Sequence, residues 1–328
     1  MPRLRRVSWQ EPGWTRRRCG RGFRYLDEQG ASLAPADLAR VRALVIPPAW
    51  TEVWICSYDR GHLQAVGIDE AGRRQYLYHP AWREQRDAEK FDRVATLGLK
   101  LPGLRRRLVR ELRAEPGDEE VERRRVLAAA VRLIDLGCFR PGSESSAEEF
   151  GSHGLTTVER RHVRRHQGDL VFEFVGKSGV EHEVLVDDPD VVSVLTTITR
   201  GRAGSSRVLA SKVDGRWRPL TPGEVNDRVR ELTGLDVTAK DFRTWHATVT
   251  VAVALATAPP ATSVAARGRR VRAALVEAAE LLGNTPAVAR SSYVDPRVLE
   301  LYDEGVVLDP VPSGPNAIDR AVAALLTE

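Results

Sequence analysis

Glu280-Leu-Leu-Gly-Asn-Thr-Pro-Ala-Val-Ala-Arg-Ser-Ser-Tyr293 is the stretch on which the reading of this chain turns. Leu275, Ala278, Ala279 and Leu282 give the segment before it one apolar helical face, and Gly283 stops that helix because glycine takes the left-handed conformation at no steric cost. Thr285-Pro286 then starts a second helix, the threonine as cap and the proline in the first turn. Tyr293 follows among Arg290, Ser291 and Ser292, so a phenol stands beside a cation. Alone, that pattern describes a surface tyrosine. Three stretches upstream change the reading, because each sets a cation at a structural break or in a helix: Phe139-Arg140-Pro-Gly, Val175-Gly-Lys177-Ser-Gly and Lys240-Asp-Phe-Arg243-Thr-Trp. A tyrosine that attacks a phosphate needs cations of this kind around it.

At 328 residues the chain exceeds one core of usual size, which predicts a small domain and a larger one. A net charge of +5 and a pI of about 9.3 suit a polyanionic partner without requiring one. Of the 50 basic residues only Lys90, Lys100, Lys177, Lys212 and Lys240 are lysine. Cys19, Cys56 and Cys138 match no CxxC or zinc spacing and are expected as free thiols in a reducing compartment. The Arg-rich N-terminus lacks the apolar core of a signal peptide, and no segment reaches the ~18 apolar residues of a membrane span. A cytoplasmic protein without a membrane partner is expected.

Residues 1–22 carry Trp9 and Trp14 without periodicity and read as an arm ordered only where an aromatic docks. Short β runs at 23–26, 53–57, 63–68 and 75–78 predict a small antiparallel sheet, with a helix at 36–45 ended before Pro47-Pro48. In the last run alternation puts Arg74, Tyr76 and Tyr78 on one face and Gln75 and Leu77 on the other. Polar aromatics beside Arg73 and Arg74 suit a DNA backbone or groove, and equally a solvated edge hairpin. After His79-Pro80 the pattern turns helical at 83–101, 104–114 and 119–136, which puts the domain boundary near residue 85. Residues 143–152 look turn-like. Strands follow at 162–166, 170–175 and 180–186, the last two joined by a tight turn at 176–179 that leaves Lys177 at a hairpin tip. Asp187-Asp-Pro-Asp190 caps a helix at 191–199, and 201–219 reads as a loop with an extended piece near Trp217. The remainder is helical, at 222–233, 239–257 and 263–282 and after Pro296 and Pro315. The fold class is α+β: a small β-rich N-terminal domain, then a mainly helical domain holding a three-stranded antiparallel sheet.

Gly176-Lys-Ser is not a phosphate-binding P-loop, since that motif needs glycine at position 171, which is valine, and a helix where a strand is expected. His162 and His166 stand among Arg160, Arg161, Arg164 and Arg165, which would repel a metal ion, and the aspartates at 187–190 read as a cap; no metal site is expected. The cations are different in kind. Phosphoryl transfer to a tyrosine builds charge on the non-bridging oxygens and needs a proton on the leaving oxygen. Arginines serve the first need. A lysine among other cations serves the second, because a guanidinium does not give up its proton near neutral pH.

Taken together, the Arg140, Lys177, Arg243 and Tyr293 stretches, Ile46-Pro-Pro-Ala-Trp50 and Gly72-Arg-Arg-Gln-Tyr-Leu-Tyr78 resemble the type IB DNA topoisomerases over nearly the whole chain, most closely the short poxvirus-like and bacterial forms. The resemblance implies Tyr293 as nucleophile, Arg140 and Arg243 as the two arginines, Lys177 as the hairpin lysine, and Gln75, Tyr76 and Tyr78 with Arg73 and Arg74 as DNA contacts. Asn284 stands where many members have His in Gly-His-Thr-Pro; its amide can donate a hydrogen bond but brings neither charge nor proton. Implied too are a clamp domain at 1–85, a catalytic domain at 86–328 of the type IB topoisomerase and tyrosine recombinase kind, and a monomer closing around double-stranded DNA on the nucleoid. The activity implied is relaxation of supercoils through a 3′-phosphotyrosyl link and religation, with no ATP, metal or other cofactor. A tyrosine recombinase is the alternative enzyme, although such enzymes usually carry His-x-x-Arg where this chain has Lys240-x-x-Arg243. A non-catalytic DNA-binding protein is the alternative of another class.

Overall fold

Trp14 anchors a strand where the sequence promised only an arm. The computed structural model describes residues 3–137, 139–261 and 263–327, so the free thiol expected at Cys138 lies outside the described residues. Two compact units emerge, Met1–Lys90 and Phe91–Glu328. In the first, strands β1 (Trp14–Cys19) and β2 (Gly22–Leu26), helix α1 (Pro35–Ala43) and strands β3 (Thr51–Ile55), β4 (Leu63–Ile68) and β5 (Arg74–Tyr78) form an antiparallel sheet in the order β2-β1-β3-β4-β5. Trp14 is buried with Val41, Ile46, Val53, Ile55 and Ala65. Arg16 donates to the carbonyls of Ile46, Pro47 and Trp50, at 3.0, 3.0 and 2.6 Å, and its guanidinium lies 4.1 Å from the centre of the Phe23 ring. The arginine run is therefore a strand, and one of its members is bound into the fold.

Helix α2 (Pro80–Leu112) runs from the first unit into the second as one helix where two were expected, with Pro102 inside it. Leu97, Leu101, Leu104, Leu108 and Leu112 are all buried along it. An internal proline costs roughly 3 kcal/mol, whereas each buried leucine contributes about 1.5–3 kcal/mol, so the apolar stripe outweighs the missing hydrogen bond. After α3 (Glu119–Gly137), the turn-like segment is also a helix, α4 (Glu144–Phe150); the Ser143 hydroxyl caps it by accepting from Ser146 N at 3.3 Å, and Gly151 ends it at φ 59°. Strands β6 (Val163–His166), β7 (Asp169–Val175) and β8 (Glu181–Val186) form the three-stranded antiparallel sheet. Helix α5 (Pro189–Thr199) follows, capped by Asp188. The expected loop then ends in a two-stranded hairpin, β9 (Ala210–Val213) and β10 (Arg216–Pro219).

Helices α6 (Pro222–Thr233), α7 (Ala239–Thr257), α8 (Val264–Leu282), α9 (Pro286–Ser292), α10 (Pro296–Asp303) and α11 (Pro315–Thr327) complete the second unit. Trp245 of α7 is fully buried, and a Cβ at Gly98 of α2 would lie 2.2 Å from its ring, so the glycine lets the two helices meet there. No described helix is long and apolar enough to cross a membrane.

Candidate active site

Phe139, two residues beyond the end of α3, packs edge-on to Phe172 and stacks on Phe174, with ring centroids 5.4 and 5.9 Å apart, and thereby fixes the next residue, Arg140. The Arg140 carbonyl accepts from Leu155 N at 2.8 Å. Its Nη2 donates to Asn284 Oδ1 at 2.9 Å and to Gly283 O at 3.5 Å. Arg140 Nη1 and Asn284 Nδ2 are buried donors with no hydrogen-bond partner among the described residues. A buried donor left unpaired costs about 1–3 kcal/mol, so this corner is stabilised by whatever brings oxygens to it. Burial, then the nearby Arg243 guanidinium, pulls Arg140 below the ordinary guanidinium value, with the Tyr293 phenol opposing.

Arg243 lies early in α7, whose start is set by Thr238 and Asp241; Thr238 N and Oγ1 donate to Asp241 Oδ2 at 2.8 and 2.9 Å. The side chain is buried, and its Nη2 donates to Leu282 O at 2.7 Å, at the end of α8. Its guanidinium carbon is 5.6 Å from the centre of the Tyr293 ring, a cation facing a phenol. Tyr293 closes α9, and its N–H donates to Ala289 O at 3.0 Å. Its carbonyl accepts from Thr248 Oγ1 of α7 at 3.3 Å, and Thr248 Oγ1 in turn accepts from Asp295 N at 3.1 Å. The tyrosine's backbone is thus tied to the helix that carries Arg243.

Lys177 sits in the turn between β7 and β8, where Ser178 and Gly179 take φ values of 65° and 73°. The exposed lysine lines, with Arg140 and Arg243, a cleft of about 270 Å³. Asn284 meets that cleft through Arg140, and Tyr293 through Arg243; neither is part of its wall. His182 and His153 are lining residues that the sequence reading did not single out. The signal for His182 was its phase in β8, since it shares a face with the half-buried Val184 and the buried Val186 while Glu181, Glu183 and Leu185 are exposed. Thr248 carried no signal, because a threonine inside an Ala/Val-rich helix looks like core.

In the N-terminal unit the named residues all belong to the β4–β5 hairpin. Arg73 Nε and Gln75 Nε2 donate to Asp69 Oδ2 at 3.0 and 2.8 Å. The Arg73 backbone N–H and these side chains hold Asp69 down to about 2. Arg74 lies 3.9 Å from the centre of the Trp9 ring, and Tyr76 and Tyr78 stack with centroids 6.2 Å apart. Tyr76 is exposed and Tyr78 half-buried.

Two family models match this chain: the catalytic core of eukaryotic DNA topoisomerase I over residues 79–304, and the N-terminal domain of bacterial DNA topoisomerase IB over residues 22–69. The DNA topoisomerase 1B of Acanthamoeba polyphaga mimivirus is 28% identical over 289 residues, covering 85% of this chain and 83% of the relative. That of Vaccinia virus (strain Copenhagen) is 23% identical over 248 residues, covering 75% and 74%. A solved structure of the XerH site-specific recombinase bound to palindromic difH substrate aligns with a TM-score of 0.38 at 15% identity over 60% of this chain and 49% of that one, a likeness too weak to argue from. The core match spans well over half the chain, from the residue after β5 to the one after α10, and on that ground the chain belongs to the type IB DNA topoisomerases.

Proposed function

We propose that this topoisomerase relaxes supercoiled duplex DNA through a 3′-phosphotyrosyl link made by Tyr293, without ATP or metal. The observation that carries the reading is the pair of buried, unpartnered donors, Arg140 Nη1 and Asn284 Nδ2, in a corner shared with Arg243 and open to Lys177. A phosphodiester's non-bridging oxygens are the acceptors that suit them. As Tyr293 Oη bonds to phosphorus, its phenolic proton passes to solvent and the bond from phosphorus to the 5′-oxygen breaks. Arg140, Arg243 and Asn284 stabilise the charge on the non-bridging oxygens, and Lys177 protonates the departing 5′-oxygen. The phosphotyrosyl link keeps the phosphodiester's energy, so religation is the same step reversed once the strand has swivelled.

In this reading the chain acts as a monomer on duplex DNA in the cytoplasm, with residues 86–328 doing the chemistry and the domain at 1–85 gripping the duplex. Arg73, Arg74, Gln75, Tyr76 and Tyr78 contact the DNA; the exposed Tyr76 and its stacked neighbour Tyr78 support this. Relaxation of supercoiled plasmid in EDTA without ATP is the test, run beside Tyr293→Phe. The wild-type enzyme is expected to relax both positive and negative supercoils. The variant is expected to bind duplex but to leave no covalent adduct after denaturation with detergent. A strict need for ATP or magnesium, or an adduct that survives in the variant, overturns the reading.

A further inference from the structure

His182 occupies a slot cut by two glycines. A Cβ at Gly176, just before the lysine turn, would lie 2.5 Å from His182 Cδ2 and 2.6 Å from Nε2; a Cβ at Gly283, where α8 ends, would lie 2.9 Å from Cε1. Neither gap admits a side-chain carbon, so the imidazole touches the Lys177 turn along one edge and the Gly283–Asn284 turn along another. The ring is also stacked on Phe174 across the β7–β8 register, with centroids 5.3 Å apart and planes 21° apart. Phe174 stacks in turn on Phe139, beside Arg140. Burial, and after it the Arg140 and Arg243 guanidiniums, hold His182 below the ordinary imidazole value, so the neutral ring is favoured.

We propose that His182 is a positioning residue for strand cleavage: its ring is the spacer that seats the Lys177 turn against the Gly283–Asn284 turn and so aims the lysine at the leaving oxygen. The turn is exposed: the Gly176 N–H to Val180 O bond of 2.7 Å closes it on itself, and His153 N–H donates to Val175 O at 2.7 Å just before it, so among the described residues no backbone hydrogen bond ties residues 176–179 to a helix. A general acid displaced by about an ångström loses much of its effect. The inference rests on Lys177 being the general acid, and the experiment separates the two claims.

Single-turnover cleavage is measured on a duplex with one mapped cleavage site, carrying either oxygen or sulfur at the bridging 5′ position. A thiolate leaves without a proton, so sulfur bypasses the acid. His182→Ala is expected to be slower by on the order of 10-fold or more on the oxygen substrate, and nearly normal on the sulfur one, as is Lys177→Ala. His182→Phe, which keeps a ring stacked on Phe174, is expected to recover most of the lost rate. Gly176→Ala adds a carbon that only the ring opposes, because its φ of −96° suits alanine. It is expected to be as slow as His182→Ala, and to cost nothing further in the His182→Ala background.

Where sulfur rescues Lys177→Ala, a His182→Ala defect of equal size on both substrates overturns the inference, as does a His182→Phe enzyme no faster than His182→Ala. If Lys177→Ala is not rescued by sulfur, the general-acid reading itself fails. The seating claim is then decided by the double variant: no slower than Lys177→Ala alone supports it, and additive losses overturn it. Should His182→Ala fail to fold, Gly176→Ala and His182→Phe read the same contact.

Discussion

Two regions of the larger unit hold buried or half-buried arginines and treat them in opposite ways. Where α2, α3 and α11 meet, Arg105 donates to Asp135 Oδ2 and Oδ1 at 2.8 and 3.0 Å and to Asp319 Oδ2 at 2.6 Å. Arg132 donates to Asp135 Oδ2 at 2.6 Å and to Asp188 Oδ2 at 2.8 Å, and the Trp245 indole N–H to Asp319 Oδ1 at 2.7 Å. Each charge there has its opposite. In the cleft, among the described residues, Arg140 donates only to an amide oxygen and a backbone carbonyl, and no carboxylate pairs with Arg140 or Lys177. Under the proposed function, the difference means that the paired arginines complete the fold while Arg140 keeps its charge for a phosphodiester. The two should therefore fail in different assays.

The largest effect is expected in the paired region. Arg105→Ala leaves Asp135 and Asp319 buried without their shared cation, which costs roughly 3–5 kcal/mol and lowers the melting temperature by about 6 °C or more. Cleavage per folded molecule should stay close to normal, because no atom of this network lines the cleft. A melting curve beside a cleavage rate corrected for folded fraction checks both halves. An Arg105→Ala enzyme as stable as wild type would erase the distinction.

Arg140→Ala should show the reverse. Loss of a donor to a developing oxyanion slows cleavage by roughly 10²-fold or more. Stability should hold or rise, since the variant removes a buried unpaired donor and relieves its repulsion with Arg243. A variant that melts early yet cleaves at the normal rate would place Arg140 with the structural arginines. Asn284→Ala should be milder, about tenfold, because it removes one neutral donor worth on the order of 1–1.5 kcal/mol. If it proved more damaging than Arg140→Ala, charge would not be the ranking principle of the site.

Much of this contrast was written in local sequence. Gly176 and Gly179 bracket the lysine turn, Thr238 and Asp241 cap the Arg243 helix, and Gly283 followed by Thr285-Pro286 marks the break before Tyr293; each acts through neighbouring residues, so its outcome was readable. Tertiary effects were not. Pro102 signals a helix break and is overridden by leucines that pack only once the fold exists, and Arg16–Arg18 look solvated until Arg16 finds three carbonyls about 30 residues away. The pairing of Arg105 with Asp319 spans 214 positions. His182 is the telling omission, since the glycines that cradle it are 107 residues apart, Gly176 and Gly283, and nothing local connects them.

The smallest effect expected is the dependence of stability on pH, and it too divides the regions. Asp135 is held below the ordinary carboxylate value: burial works against ionisation there, but its His246 and Arg105 neighbours prevail. Its stabilisation is present above the unfolded value of about 3.8 and fades only as pH falls below it. His182 is depressed below about 6.5 by burial, then by Arg140 and Arg243. Glu181, Glu183 and Glu280 line the same cleft beside Lys177, and the net direction is still downward. The unfolded chain therefore takes up this proton before the folded one does as pH falls through about 6.5, and stability is lost from there downward. Between pH 7.5 and 5 Asp135 stays ionised and the depressed histidines act. His62 and His162 are shifted the same way, mainly by burial, so some loss remains in any single variant. His182→Phe removes one of the three, and its melting temperature should fall less than that of wild type across this window. Parallel curves would show that neither burial nor the cleft's cations depress His182, and the electrostatic side of the contrast would then stand on Arg140 alone.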